Sequence, residues 1–250
     1  MAALSYDGPT TLSSFASRYK LRFPLLSDKR SAVIRQFGLL NSTVERGSAA
    51  WGVPYPGTLF IDRQRRVVER SFEAKYQERE SVGSMMTRLG TNAAGPQVQR
   101  TTRHLSVVVR ASDSQVAPGR RLSLVFDFTP VPRMHVYAPG AVGYRPLRVS
   151  MDARPYVRAH PIEYPPSEPY LFKPLNELVQ VYQRPFTVVQ PLTLEVAATE
   201  AALKSGPTLE LSGRIDYQAC DDKLCYNPAS VPFSVTVTAR PLVRERSTRP

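Results

Sequence analysis

Cysteine is what this chain most nearly lacks: 250 residues hold two, Cys220 and Cys225, and positions 1–219 hold none. That scarcity excludes a disulfide-dense scaffold. Histidine is almost as rare, and His104, His135 and His160 show no paired spacing that would join two thiolates around zinc. No metal or organic cofactor is expected. No run of about 18 apolar residues exists, so no helical membrane span is expected. The opening Met1–Asp7 does not offer a basic segment followed by an apolar one, so no secretory signal is read in this chain. Acidic residues are outnumbered 33 to 21, for a net charge of +12. Such an excess can mark nucleic-acid binding. The densest basic group, Arg63, Arg65, Arg66 and Arg70, sits around a turn with no aromatic interleaving and no nucleic-acid motif. A solvated, arginine-rich surface is the reading, with no nucleic-acid partner.

What is present is proline, 23 residues of it, and an apolar fraction of 42%. The length permits one large or two ordinary domains, the apolar content suffices for real cores, and the prolines favour β-rich, loop-rich architecture over helix bundles. Residues 2–6 read as a strand end, and Asp7-Gly8-Pro9 as a turn. Thr10 or Thr11 could cap a helix that turns Leu12, Phe15, Ala16 and Tyr19 inward. Leu21–Leu26 is a second strand. Ser27 or Asp28 caps a helix with Val33, Ile34 and Phe37 inward, ended by Gly38. Gly57–Asp62 and Arg66–Phe72 make a hairpin, and 76–89 a closing helix. Alternating helices and strands argue an α/β domain over 1–90. Gly90–Pro96 is small and turn-forming, which places a linker at 91–98. Beyond it, 99–241 shows about eight short, β-branched strands and no convincing helix, as a β-sandwich would. A disordered tail is expected over 242–250.

The chemistry is read in Tyr217-Gln218-Ala219-Cys220-Asp221-Asp222-Lys223-Leu224-Cys225-Tyr226. Thr208–Tyr217 and Val231–Thr238 alternate apolar and polar as half-buried strands, with the cysteines at the turn between them. Opposed residues of an antiparallel pair bring Cβ atoms to about 4.5–5.5 Å, so a Cys220–Cys225 disulfide is geometrically plausible. A six-residue loop gains only about 2 kcal/mol from closure, which suits a bond that opens and closes better than a staple. A purely structural bridge stays open as the alternative. Asp221 and Asp222 would raise the thiol pKa values and Lys223 would lower them. His135, in Met134–Gly140, is either a proton donor or a histidine packed beside aromatics. Pro161–Pro174 reads as a long irregular loop.

The frame Tyr217-Gln218-x-Cys220…Cys225-Tyr226-x-Pro228 resembles the N-terminal periplasmic domain of the thiol:disulfide interchange protein DsbD, over about residues 99–241. Four residues separate the cysteines here, against five in the best-known members. The resemblance implies an immunoglobulin-like sandwich that exchanges disulfides with thioredoxin-like partners, with Cys225 forming the mixed disulfide and Cys220 resolving it. Tyr217, Gln218, Asp221, Asp222, Lys223 and Tyr226 would support the site. An aromatic cap loop would shield the sulfurs, a place that Tyr170 and Phe172 occupy by chain order. An extracytoplasmic, periplasmic location follows for the full-length parent. The first part resembles the peroxiredoxin-like redoxins (AhpC/TSA type, thioredoxin fold) through Leu4–Asp7, Phe23–Asp28 and Gly52–Asp62. That likeness puts Pro56 at the family's cis-proline. It also implies that a first strand and a cysteine-bearing helix are missing, as in a truncated redoxin unit. Three functions are therefore carried forward: thiol–disulfide exchange, a non-catalytic binding module with a structural disulfide, and part of a thiol peroxidase whose reactive cysteine is absent.

Overall fold

The structure is a computed structural model in which residues 1–48, 50–72, 78–91, 95–172 and 175–242 are described. The chain divides into two compact units, Met1–Tyr76 and Gln77–Pro250. The first contains β1 (Ala3–Ser5), α1 (Pro9–Arg18), β2 (Leu25–Ser27), α2 (Ala32–Gln36), β3 (Gly57–Ile61) and β4 (Val67–Phe72). β1 and β2 pair in parallel, while β3 and β4 form the antiparallel hairpin. Helix α1 starts at Pro9 with Gly8 as its cap, not at Thr10 or Thr11, because proline's fixed φ suits a first helical position. The N-cap position of α2 is Ser31, not Ser27 or Asp28, but Asp28 caps the helix with its side chain: its carboxylate accepts from the backbone N–H groups of Ala32 and Ile34, each at 2.8 Å. Ile34 is buried, but Phe15, Tyr19, Val33 and Phe37 are exposed, contrary to the helical-face reading. A sheet of two three-residue strands covers only a narrow stripe of either helix. At the hairpin turn the Asp62 carboxylate accepts from the backbone N–H and Nε of Arg66.

Pro56 requires a correction, since no peptide bond among the described residues is cis. The trans form of an X–Pro bond is favoured by about 0.5–1 kcal/mol unless its surroundings select cis. Here Tyr55 N–H donates to Leu39 C=O and Pro54 bridges Leu40, so the approach to β3 is already held extended.

The second unit contains β5 (Arg79–Glu80), α3 (Val82–Arg88), β6 (Gln97–Thr101), β7 (Leu105–Ala111), β8 (Gln115–Val116), β9 (Arg120–Pro130), β10 (His135–Tyr137) and β11 (Arg148–Met151). It continues with β12 (Val157–Ala159), β13 (Glu168–Phe172), β14 (Glu177–Tyr182), β15 (Phe186–Leu194), α4 (Val196–Ala202), β16 (Thr208–Tyr217), β17 (Ala219–Cys220) and β18 (Ala229–Ala239). Its strands form three sheets: β12-β15-β9-β7-β6 with β5 beside β9, β11-β16-β18-β8, and β13-β14-β10-β17. Between them lies one continuous core that includes Leu105, Val107, Phe126, Leu211, Ile215 and Phe233. The Phe126 and Phe233 rings meet edge to face at 5.1 Å. This unit is a β-sandwich.

Several expectations shift. The helix read over 76–89 is shorter, and it packs on the sandwich. Ser81 caps α3 through the N–H of Ser84, the Ser84 hydroxyl bonds the buried Glu80 and Ser123, and Arg88 pairs with Glu80 at 2.8 Å. A Cβ at Gly83 would stand 2.2 Å from the Ser112 carbonyl oxygen, so the helix approaches at a distance only glycine allows. At the linker, Pro96 C=O already accepts from Ala111 N–H at 2.9 Å and β6 begins at Gln97. Residues 73–75 and 92–94 lie outside the described residues, as do 76 and 77 of the expected helix and 243–250 of the expected tail.

Residues 186–194 are one long strand, β15, running through Pro191, where the sequence reads as short strands. The Gln190 amide donates to the His160 carbonyl at 2.7 Å, supplying a side-chain donor beside the position where proline has none. The alanine-rich run after it forms α4, a helix the strand pattern missed. The irregular loop of 161–174 contains β13, which pairs along β14 from Glu168↔Val181 to Phe172↔Glu177.

Candidate functional site

Strands β16 and β18 pair over ten residues, from Thr208↔Thr238 to Tyr217↔Ala229. Between them the chain leaves that sheet. Ala219 and Cys220 join β10 of the third sheet, with His135 opposite Cys220 and Val136 opposite Ala219. The chain then turns back and sets Cys225 directly opposite Cys220, with Cα atoms 4.1 Å apart and the two sulfurs joined in a disulfide.

The turn is built by Asp221. Its carboxylate accepts from the N–H groups of Lys223 (2.8 Å) and Leu224 (2.7 Å) and from the Tyr226 hydroxyl (3.0 Å). Those backbone donors hold the Asp221 carboxyl below the usual range, and donating its hydrogen bond to that carboxylate raises the Tyr226 hydroxyl above its own. Gln218 clamps the base of the loop: its amide nitrogen donates to Tyr226 C=O and its oxygen accepts from Arg145 N–H, both at 3.1 Å. The buried Tyr217 hydroxyl bonds Thr102 at 2.8 Å, and His104 lies on Tyr226 with ring centroids 4.5 Å apart. Asp222 and Lys223 are exposed at the tip.

The two sulfurs differ in access. Cys220 is 0% exposed, whereas Cys225 is half-buried. The hydroxyl of Tyr137 touches both, 3.0 Å from Cys220 Sγ and 3.3 Å from Cys225 Sγ. Burial pushes the Tyr137 pKa well up, so this hydroxyl stays protonated as a donor. Tyr144 stacks on it at 4.1 Å and donates to the Glu177 carboxylate at 2.6 Å, the bond that chiefly raises its own pKa. On the other side His135 is buried, 5.6 Å from Tyr137 and 4.4 Å from Tyr170 between ring centroids. Burial lowers its pKa to about 4, with the Asp221 charge opposing.

Tyr137, Val179, Val181 and Cys220 form a small apolar cluster of their own, with Ala141, Tyr144, Tyr170 and Cys225 packed against it. Tyr170, on strand β13, packs against this cluster. Phe172 is buried but does not belong to this cluster, because two residues along a strand move it about 7 Å further on. Beside the cluster runs an open groove of about 610 Å³, lined by 140–144, Leu175 and 177–180. Val142, Leu175 and Leu178 on it are exposed.

The sequence reading passed over Tyr137, Tyr144 and Glu177. Tyr137 had a signal, since it lies two residues from His135 on one strand and so shares its face. The other two come from loop and hairpin segments with no local pattern.

Residues 1–70 match the AhpC/TSA family. The first unit is thus similar to that family over a little more than a quarter of the chain. No curated protein matches the sequence. Among solved structures, the chain is similar to the reduced N-terminal domain of Neisseria meningitidis DsbD, at 15% identity and a TM-score of 0.32, over 46% of this chain and 78% of that one. The N-terminal periplasmic domain of ScsB from Proteus mirabilis matches at 12% identity and a TM-score of 0.39, over 59% and 52%. The GAE domain of GGA2p from Saccharomyces cerevisiae matches at 8% and 0.31, over 55% and 94%. This chain therefore spans about half of the ScsB domain's length. Among the described residues, no helix is long and apolar enough to cross a membrane.

Proposed function

We propose that this protein exchanges disulfides with a thioredoxin-like partner through Cys220 and Cys225, in an extracytoplasmic compartment. The observation that carries the reading is the asymmetry of the bond: one half-buried sulfur, one sealed sulfur, and a neutral tyrosine hydroxyl within reach of both. Attack by a partner thiolate on Cys225 Sγ forms a mixed disulfide, breaks the Cys220–Cys225 bond and releases Cys220 as a thiolate that takes up a proton. A second partner thiolate then attacks the partner's sulfur in the mixed disulfide. Cys225 leaves reduced and the partner leaves oxidised, so two electrons and two protons have passed. The reverse sequence makes Cys225 the attacking thiol and Cys220 the resolving one. Tyr137 donates a hydrogen bond to whichever sulfur carries charge, and the apolar groove beside it receives the residues that flank the partner's cysteine. The Tyr-Gln-x-Cys…Cys-Tyr-x-Pro frame supports the same assignment. The first unit has no cysteine to contribute, so a peroxidase reading has no nucleophile in this chain.

The test is the reduction potential of the pair in the full chain, equilibrated against glutathione buffers with Cys225→Ser as control. A value between roughly −270 and −120 mV, the range of working exchangers, supports electron transfer. A bond below about −300 mV, with stability lost once it is cut, would make the sandwich a binding module braced by a structural bridge.

A further inference from the structure

We propose that His135 is the proton acceptor and donor for Cys220 during exchange, an inference that rests on the exchange reading above. The need arises from burial. Cys220 is 0% exposed, so bulk water does not reach the sulfur that must gain a proton when it leaves and lose one when it attacks. Tyr137, which stays protonated, can donate to that sulfur but does not take its proton.

His135 meets the need by position. It is the residue directly opposite Cys220 across the β10–β17 pair, and opposed antiparallel side chains stand on one face with Cβ atoms about 4.5–5.5 Å apart. It is 1% exposed, and its Nε2 is buried without a hydrogen-bond partner. A histidine serving only as packing would be matched by phenylalanine or leucine, without the penalty of an orphaned buried nitrogen. The groups facing it are Tyr137 on its own strand, Tyr170 on β13, and Cys220 and Asp221 on β17 and the turn. Asp221 is engaged by the turn. Among these groups the neutral imidazole of His135 is left to take a proton from the thiol.

In the resolving step the Cys220 S–H proton passes to His135, and the thiolate attacks Cys225 Sγ of the mixed disulfide. The Cys220–Cys225 bond forms, the bond from Cys225 to the partner breaks, and the partner leaves as a thiolate. In the opposite direction the proton that the partner thiol gives up as it attacks Cys225 passes through the His135 imidazole to Cys220 as that sulfur leaves.

The experiment uses the reduced full chain and 5,5′-dithiobis(2-nitrobenzoate) in stopped flow. The first equivalent of thionitrobenzoate reports attack by Cys225, and the second reports resolution by Cys220. His135→Phe should leave the first phase unchanged and slow the second about 100-fold at pH 7, the scale of general acid–base catalysis. Its second phase should also rise tenfold per pH unit, where the unsubstituted protein gives a flatter profile. His135→Gln keeps a polar, hydrogen-bonding side chain but takes up no proton, so it should be slowed equally, and it decides the matter if the Phe variant loses its near-ultraviolet dichroism. Resolution at the original rate and pH profile in a folded variant overturns the inference alone. An unsubstituted protein that never releases the second equivalent overturns the exchange reading and the inference with it.

Discussion

The two units of this chain bury their side chains on very different scales. Among the described residues of the first, the buried apolar side chains are Leu12 and Ile34, and Phe15, Tyr19, Leu26 and Phe37 face outward. The sandwich closes an unbroken core from Leu105 to Ala239. Parallel strands are normally covered on both faces, yet β1 and β2 make a parallel sheet only two strands wide. The first unit leans on local devices such as the Asp28 cap and the Asp62 turn, and the second on apolar area removed from water. The contrast bears on chemistry as well. A small cluster around a disulfide can hold a tyrosine hydroxyl at hydrogen-bond distance from two sulfurs when rigid sheets surround it.

The comparison is sharpened first by Phe126→Ala. It should lower the stability of the sandwich by about 3–5 kcal/mol in urea unfolding followed by near-ultraviolet dichroism; a loss under about 1 kcal/mol would mean that this core is less tightly packed than it stands here.

A smaller effect should follow pH. The folded pKa of His135, about 4, lies below its unfolded value of 6.5, so the unfolded chain takes up the proton first. Its contribution is complete above pH 6.5 and is lost as pH falls through 4, amounting to about 3 kcal/mol at the acid end. Subtracting the unfolding free energies of His135→Phe from those of the unsubstituted protein at pH 7.5, 5 and 4 isolates that slope, and a difference that does not change with pH would refute it.

The smallest effect belongs to Phe15→Ala in the first unit, expected to stay within about 0.5 kcal/mol because this ring is already 49% exposed. A loss of 2 kcal/mol or more in the same titration would show that the ring is covered in solution, and the contrast between the units would narrow.

Much of the sandwich was legible because its strands alternate: Thr208–Tyr217 reads in the sequence as it lies in the fold, and the facing strand differs only at its ends. The disulfide followed from two cysteines beside such strands. The Asp28 cap was legible too, since a carboxylate before an apolar run is a local signal. What escaped was decided by partners distant in sequence. Nothing within 78–91 shows that the buried Ser84 hydroxyl meets a serine on β9. Pro191 reads as a strand breaker until the Gln190 amide is seen reaching His160 C=O. Pro56 looked like a cis-proline by alignment alone, while its own backbone neighbours hold it trans. Tyr137 gave only its strand periodicity, and its contact with both sulfurs depends on where β17 departs from the β16–β18 sheet.

The attachment of residues 78–91 to the sandwich has a practical corollary for aggregation. Strand β7 accompanies β9 only as far as Leu124, and beyond that point Arg79, Glu80 and Ser81 line the strand, with Arg79 and Ser81 donating to Gly119 C=O and Arg121 C=O. A fragment begun at Gln97 would leave those carbonyls bare at the start of the longest strand in its sheet. An open edge of that kind recruits strands from other molecules, so such a fragment should self-associate where one begun before Glu78 stays dispersed.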